Sequence, residues 1–265
     1  MKICIIHKKS VSLRHKTIYT MRKYLFFCIF AFALCGCQHQ PLQVTHATTE
    51  AIPVDASLDS IQDNAYIAQL APTQAALEAE MSAVLGYAPE RLWVGAPECP
   101  MLNWATDALW EAAKKVYDGP VDIAIVNIGG MRCEWPAGNI TRGNVFELMP
   151  FDNQLVVLTV KGSDVLDLCQ SFATYGGQGV AGLRMKAIDG RLADVQIGGK
   201  AVDPNGLYTI ATSDYLSGGT DHMDALTRHV AYWNSELLIR DLYLEAVRDQ
   251  DTIRAAVDGR MTMLP

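Results

Sequence analysis

The chain has 265 residues, half of them hydrophobic, so it is long enough to bury a sizeable core in one or two domains. Seven of the 22 lysines and arginines, and none of the 29 acidic residues, lie in residues 1–36, which leaves 15 basic and 29 acidic side chains, a net charge of −14, in residues 37–265. That balance excludes nucleic acid and anionic membrane surfaces as general partners, because both require a basic face. An anionic ligand must therefore be held by local groups.

The first predicted element is a secretory signal that begins at Met21. The basic MRK is followed by the apolar run YLFFCIFAFAL, which is too short for an ordinary membrane-spanning helix, and then by LCGC. LCGC resembles a bacterial lipobox, in which Cys37 is lipid-modified after cleavage. We therefore predict a leader at 1–36, with Met21 as the true start, a polar tether at 37–60 and a folded domain at 61–265. The alternatives are an ordinary signal or an uncleaved anchor.

The lipobox also predicts a location. A lipid on Cys37 would hold the domain on the periplasmic side of the cell envelope, with the lipid as its only membrane contact. Gln38 follows the lipidated cysteine, which by the usual sorting rule for lipoproteins favours the outer membrane.

The folded region mixes helices and strands without a strict βαβ rhythm, which predicts an α+β fold with mixed β-sheets and packed helices. Hydrophobic periodicity and end signals predict, in chain order, a helix at 73–86, a helix at 100–119, a buried strand at 121–128, a helix at 141–149, a strand at 153–162, a Ser-capped helix at 163–177, a meander of short strands at 182–216 and a helix at 234–250. Three cysteines lie outside the leader and lipobox: Cys99, Cys133 and Cys169. They form no CxxC pair, and an oxidising compartment permits one disulfide among them.

The first motif that can carry chemistry is NIGGMR at 127–132, directly after a predicted strand. A Gly-Gly bend can aim backbone N–H groups, and Arg132 a guanidinium, at a phosphate or sugar oxygen. Taken alone, the motif is more often a turn with a surface salt bridge.

Two further segments offer flat faces and polar groups. MPFDNQLVV carries Phe151 and Asn153 between a helix and a strand; the aromatic ring is either core or a stacking surface for a flat ring. IATSDYLSGGTDHM carries Tyr215 and Asp221 in a glycine-rich loop. Asp221 either accepts hydrogen bonds from a sugar diol or caps the next helix.

In order, spacing and neighbours, these motifs resemble the C-terminal domain of bacterial 5'-nucleotidases and UDP-sugar hydrolases over residues 75–225. The segments that carry the resemblance are NIGGMR, GNITRGNVFELMPFDNQLVVLTVKGSDV, DPNGLYTIAT and DYLSGGTD. The resemblance implies a 5'-nucleotidase C-terminal-like fold and a substrate-binding role. By it, Arg132 holds phosphate, Phe151 and Tyr215 stack on the base, Asn153 contacts the base, and Asp221 binds ribose hydroxyls.

The chain departs from the family pattern at several positions. Tyr215 replaces a common phenylalanine, and Thr220 stands where many members have glycine. The family also places two arginines before the helix at 100–119; Arg91 is the candidate for one, and the other falls at Gly95, so one phosphate contact is missing.

The resemblance further implies that hydrolysis uses two metal ions bound in a separate N-terminal metallophosphatase domain. This chain has no D-x-H, G-N-H-E, G-N-H-D or G-H-x-H motif, and only His222 and His229 of its six histidines lie in the predicted domain. A lone metal at TDHMD is less favoured than a solvated loop histidine. We therefore expect no metal or cofactor in this chain and divalent metals in a separate metallophosphatase chain.

Three hypotheses follow for function. The first is a lipid-anchored nucleotide- or nucleoside-recognition subunit of a split 5'-nucleotidase-type phosphohydrolase in nucleotide catabolism. The second is a non-catalytic lipoprotein that captures nucleosides or nucleotides for uptake. The third is a remnant that keeps the fold and binds nothing.

Overall fold

The computed structural model of the chain describes residues 46–58 and 60–265. The leader, the lipobox with Cys37 and the first part of the tether lie outside the described residues. Contacts group Asp63–Pro265 into one unit, to which every element named below belongs. Within the described residues, no helix is both long and apolar enough to cross a membrane.

The elements are helices and strands of moderate length joined by short loops. The helices are α1 (Asn64–Met81), α2 (Pro100–Val116), α3 (Arg142–Leu148), α4 (Gly162–Tyr175), α5 (Asp214–Ser217) and α6 (Ile239–Gln250), with short 3-10 turns at Ile128–Gly130 and Asp224–Arg228. The strands are β1 (Val84–Ala88), β2 (Ile123–Val126), β3 (Gly138–Thr141), β4 (Gln154–Lys161), β5 (Gly179–Ala181), β6 (Leu183–Ile188), β7 (Arg191–Ile197), β8 (Lys200–Ala201), β9 (Leu207–Ser213), β10 (Ala231–Leu238) and β11 (Met261–Leu264).

A five-stranded sheet with the order β10-β4-β9-β2-β5 organises the fold. Its neighbours pair antiparallel except β2 and β9, which are parallel. A second sheet has the order β11-β6-β7-β8, with β11 parallel to β6, and β1 pairs with β3. Mixed sheets with packed helices confirm the predicted α+β class.

Strands β2 and β4 of the central sheet are buried on both faces, which explains their nearly continuous apolar sequences. Along β4, Leu155 and Val157 pack into a core that includes residues of α2 and α6, while Val156 and Leu158 pack into another that includes residues of α4 and β6. Side chains alternate between faces along a strand, so successive residues enter different cores.

Several predicted elements are confirmed closely. Helix α2 covers most of 100–119 and carries Lys114 and Lys115 in its last turn. Helix α3 begins after Thr141, whose hydroxyl accepts a hydrogen bond from Asn144 N, while the Asn144 side chain accepts one from Thr141 N. This reciprocal pair is a capping box, and it fixes the start of the helix that leads into the Phe151 segment.

The first predicted helix, at 73–86, is wrong at both ends. Helix α1 begins at Asn64, capped by Asp63, and runs through Pro72 to Met81. Gly86 is not a helix stop but lies in β1, where a Cβ would sit 2.9 Å from the Asp251 carbonyl oxygen. The glycine therefore marks a close approach of two backbones.

The predicted helix at 234–250 is wrong over its first five residues, which belong to β10. Asn234 Nδ2 donates to Gln154 Oε1 over 2.7 Å and Ser235 Oγ donates to the Leu155 carbonyl over 2.7 Å. These bonds to β4 hold the segment as a strand against its helical periodicity.

Two smaller expectations also fail. Helix α4 begins at Gly162, so Ser163 lies inside it and does not cap it. A Cβ at Gly162 would lie 1.9 Å from the Asp203 carbonyl oxygen, so only glycine fits there. The predicted meander is divided between sheets, because β9 inserts between β4 and β2.

Cys99, Cys133 and Cys169 are all free thiols in the structure. Cys99 and Cys169 are buried, and burial raises the pKa of the Cys169 thiol to about 12. Cys169 is therefore a core side chain with little thiolate at neutral pH.

Thr141→Ala is expected to lower the free energy of unfolding by about 1 kcal/mol, because it removes the side-chain cap of α3. Ser163→Ala is the matched control: its side chain is exposed and caps nothing, so its effect should stay within about 0.5 kcal/mol. Urea unfolding of both variants checks this. Equal destabilisation by the two would contradict the assigned cap.

Candidate functional site

A cleft of about 310 Å³ lies at one edge of the central sheet. Because β2 is parallel to β9 and β4 is antiparallel to both β9 and β10, the ends of β2 and β9 and the start of β4 meet at this edge. Residues from these three places line the cleft: Asn127, Gly129, Gly130, Arg132, Phe151, Asn153, Tyr215 and Asp221. Five of the six side chains predicted to bind substrate are therefore brought together.

The NIGGMR motif forms a 3-10 turn after β2. Gly130 N donates to the Asn127 carbonyl over 3.1 Å and Met131 N to the Ile128 carbonyl over 3.0 Å. Neither glycine has a positive φ. Position 130 requires glycine for space instead, since a Cβ there would lie 2.5 Å from Asn127 Oδ1.

Arg132 extends from this turn with its guanidinium exposed. Nη1 donates to the Gly129 carbonyl over 3.1 Å, and the backbone N donates to the Leu148 carbonyl over 2.9 Å. Among the residues that the structure describes, no carboxylate forms an ion pair with Arg132. The guanidinium therefore keeps most of its donors for a ligand, and the salt-bridge alternative does not hold.

Phe151 and Tyr215 supply the aromatic surfaces of the cleft. Their side chains are 39% and 47% exposed, so neither is a core residue. Phe151 and the half-buried Asn153 precede β4, while Tyr215 lies in α5, which follows β9. Exposed rings lining one cleft are suited to a flat apolar ligand.

Asp221 carries the acidic group of the cleft, and its carboxylate accepts a hydrogen bond from the Asn127 amide. Its backbone has a φ of 53°, in the left-handed region that aspartate adopts more readily than most residues. The next helical turn begins after Met223 without a side-chain cap, so the capping alternative for Asp221 is wrong. Asn127 was missed as a site residue, although it opens the NIGGMR motif.

The glycine-rich loop is held by residues that do not face the cleft. Thr220 Oγ1 donates to the Tyr215 carbonyl over 2.8 Å, which gives this departure from the family pattern a structural role. The His222 ring stacks on the Tyr175 ring with centroids 3.6 Å apart. The His222 backbone carbonyl accepts a hydrogen bond from Ser171 Oγ. Nothing in the described range groups three or more His, Cys, Asp or Glu side chains in a way that could hold a metal.

The Phe151 segment is anchored from α6 by Arg240, another residue that sequence reasoning missed. Arg240 donates to the Asp152 carboxylate over 2.7 Å and to the Phe151 carbonyl over 3.3 Å. Its guanidinium carbon also lies 4.6 Å from the centroid of the Phe146 ring. A largely buried cation thus orders the backbone from which the Phe151 ring projects.

Arg91 is the predicted residue that does not line the cleft. It lies after β1, and its guanidinium pairs with the Glu134 carboxylate, with 3.0 Å between Arg91 Nε and Glu134 Oε2. The hydrogen bond from Arg91 holds the pKa of the Glu134 carboxyl below its usual value. Glu134 also accepts from Val94 N, so the pair braces the loop ahead of α2.

The fold and the site together define the class of this protein. It is an α+β domain with mixed sheets and a polar cleft, lined by aromatic rings, at one edge of the central sheet. The sequence model of the family described as 5'-nucleotidase, C-terminal domain, matches residues 84–228. That match covers more than half of the chain, and the chain belongs to this family.

The relatives that match this chain are much longer proteins. The 5'-nucleotidase of Vibrio cholerae is 30% identical over 148 residues, which is 53% of this chain and 27% of the relative. Protein UshA of Escherichia coli is 27% identical over 179 residues, which is 66% of this chain and 32% of the relative. The chain thus spans about a quarter to a third of the length of these relatives.

A solved structure shows the same fold. The 5'-nucleotidase precursor from Thermus thermophilus superposes with a TM-score of 0.68 at 24% identity, covering 76% of this chain and 43% of that one. The Haemophilus influenzae NAD nucleotidase NadN superposes with a TM-score of 0.60 at 19% identity, covering 76% of this chain and 41% of that one.

Proposed function

We propose that this chain binds a nucleotide or nucleoside in the cleft between Phe151 and Tyr215. It would act as the recognition subunit of a split 5'-nucleotidase-type phosphohydrolase in nucleotide catabolism. The observation that carries the proposal is that side chains from three motifs, far apart in sequence, line a single cleft. Membership of the 5'-nucleotidase C-terminal domain family supports it.

Each group in the cleft suits one part of such a ligand. The rings of Phe151 and Tyr215 would stack on the base, and the Asn153 amide would bond to its polar edge. Asp221, oriented by Asn127, would accept hydrogen bonds from ribose hydroxyls. Arg132 would bind phosphate through charge-assisted hydrogen bonds, which is the local cation that an acidic chain requires.

The side chains of the described residues do not group in a way that fits a dimetal centre. Such a site needs a cluster of His, Asp and Asn ligands, and within the described residues no group of three or more His, Cys, Asp or Glu forms one. No hydrolytic step is therefore assigned to this chain. We propose that a separate metallophosphatase chain binds the divalent metals and activates the attacking water.

We further propose that lipid on Cys37 anchors the domain on the periplasmic side of the cell envelope, with outer-membrane sorting suggested by Gln38. This rests on the signal and lipobox pattern in the sequence. The tether at 37–60 would give the domain reach from the membrane.

The function is tested by measuring phosphate release from AMP. This chain and a candidate metallophosphatase are assayed separately and then together. We expect metal-dependent release that rises when this chain is added to the metallophosphatase. Strong metal-dependent turnover by this chain alone would contradict the division of labour.

A second candidate is a non-catalytic lipoprotein that captures nucleosides or nucleotides. The observation that favours it is that aromatic, amide, carboxylate and guanidinium groups, which suit a base, a ribose and a phosphate, all line one cleft of this chain. Calorimetry with AMP, adenosine and UDP-glucose separates the two candidates when combined with the release assay. Tight binding without any effect on a partner's turnover would favour capture.

A further inference from the structure

A single carboxylate oxygen connects the two segments that carry the aromatic rings. Asp214 Oδ1 accepts a hydrogen bond from Gln154 N over 3.1 Å and another from Tyr215 N over 2.8 Å. Gln154 lies three residues after Phe151, and Tyr215 follows Asp214 directly. Asp214 is thus a direct link between the backbone that bears one ring and the backbone that bears the other.

This link connects β4 and β9 beyond the last backbone pair between them. The β4–β9 register ends at Leu155 opposite Ser213, so neither Phe151 nor Tyr215 is placed by the ladder between these strands. The Asp214 carboxylate takes over where the backbone pairing between β4 and β9 stops.

The carboxylate is not needed to cap α5. Ser213 is the residue before that helix, and its hydroxyl accepts from Leu216 N over 3.1 Å. Asp214 is half-buried and is not among the residues that line the cleft. Its hydrogen bond from Gln154 N therefore orders the neighbouring Phe151 segment. The Asp214 side chain itself does not line the cleft in which a ligand would bind.

We propose that Asp214 is a positioning residue that fixes the separation of the Phe151 and Tyr215 rings, and so how closely both rings contact a planar group in the cleft. The inference rests on the proposed nucleoside binding. Dispersion contacts lose about a quarter to a half of their strength when a gap opens by about 0.5–1 Å, so a loosened frame weakens stacking even though both rings are present.

The test compares adenosine and AMP binding by calorimetry in the wild-type chain, Asp214→Ala and Asp214→Asn. Asp214→Ala should weaken adenosine binding about five- to ten-fold, because stacking is worth about 1–3 kcal/mol per base and only part of it is lost. The ratio of AMP to adenosine affinity should stay unchanged, because Arg132 is untouched. Asp214→Asn keeps an oxygen acceptor and should stay within about two-fold of wild type.

Asp194→Ala, an exposed aspartate in β7, is the matched control and should bind as wild type. Unchanged adenosine binding by Asp214→Ala overturns the proposal, as does a changed AMP-to-adenosine ratio, which indicates general damage to the cleft. If Asp214→Ala does not fold, Asp214→Glu carries the same test, because it displaces the carboxylate by one methylene. A wild-type chain that binds neither ligand overturns this proposal and the proposed function together.

Discussion

Phe151→Ala is expected to weaken adenosine binding about ten- to a hundred-fold, because an aromatic ring stacked on a base contributes about 1–3 kcal/mol. The same change should cost little stability, because the Phe151 side chain is 39% exposed and belongs to neither core. Calorimetric titration and urea unfolding of the same preparation measure the two effects separately.

Phe151→Tyr is the matched control, since it keeps the ring and should bind adenosine within about three-fold of wild type. Adenosine affinity that is unchanged in Phe151→Ala would contradict the clamp. It would support the hypothesis of a domain that keeps the fold and has lost its ligand.

Arg132→Ala is expected to weaken AMP binding about ten- to a hundred-fold and adenosine binding by less than about two-fold. A hydrogen bond to a charged group is worth about 1.5–3 kcal/mol, and only AMP presents a phosphate. Arg132→Lys should recover part of the loss, because it keeps the charge but not the bidentate geometry. Titration of each variant with both ligands measures the difference.

Arg91→Ala is the control for a nearby arginine outside the cleft. Because Arg91 pairs with Glu134, its loss should leave AMP affinity unchanged. A loss equal to that of Arg132→Ala would show that Arg91 contacts phosphate, as the family resemblance implies. Equal losses of AMP and adenosine affinity in Arg132→Ala would contradict a phosphate role for Arg132.

The sequence predicted elements well where their ends are set locally. Thr141 signals the start of α3, and the lysines in the last turn of α2 signal its end. Both helices are confirmed. The first residues of 234–250 have helical periodicity but form β10, because bonds to β4, 80 residues away, decide their conformation. Gly86 and Gly162 fill places where another backbone approaches, which no neighbouring residue reveals.

The candidate site shows the same contrast between residues that the sequence identifies and contacts that only the fold creates. The motifs identified Arg132, Phe151, Asn153, Tyr215 and Asp221, because the chemistry of those residue types and their order are visible in sequence. Their supports were not visible: Arg240 reaches the Phe151 segment across 89 residues, and Asp214 reaches Gln154 across 60. Such contacts exist only once the central sheet has brought the segments together.

Nucleotide recognition is tested most directly by titrating AMP into the wild-type chain and into the double variant Phe151→Ala, Arg132→Ala. We expect the wild-type chain alone to bind AMP and the double variant to lose at least about seventy-fold in affinity, since the stacking contribution of about 1–3 kcal/mol and the phosphate contribution of about 1.5–3 kcal/mol fall on separate parts of the ligand. An absence of AMP binding by the folded wild-type chain, or equal binding by the double variant, would contradict nucleotide recognition in this cleft.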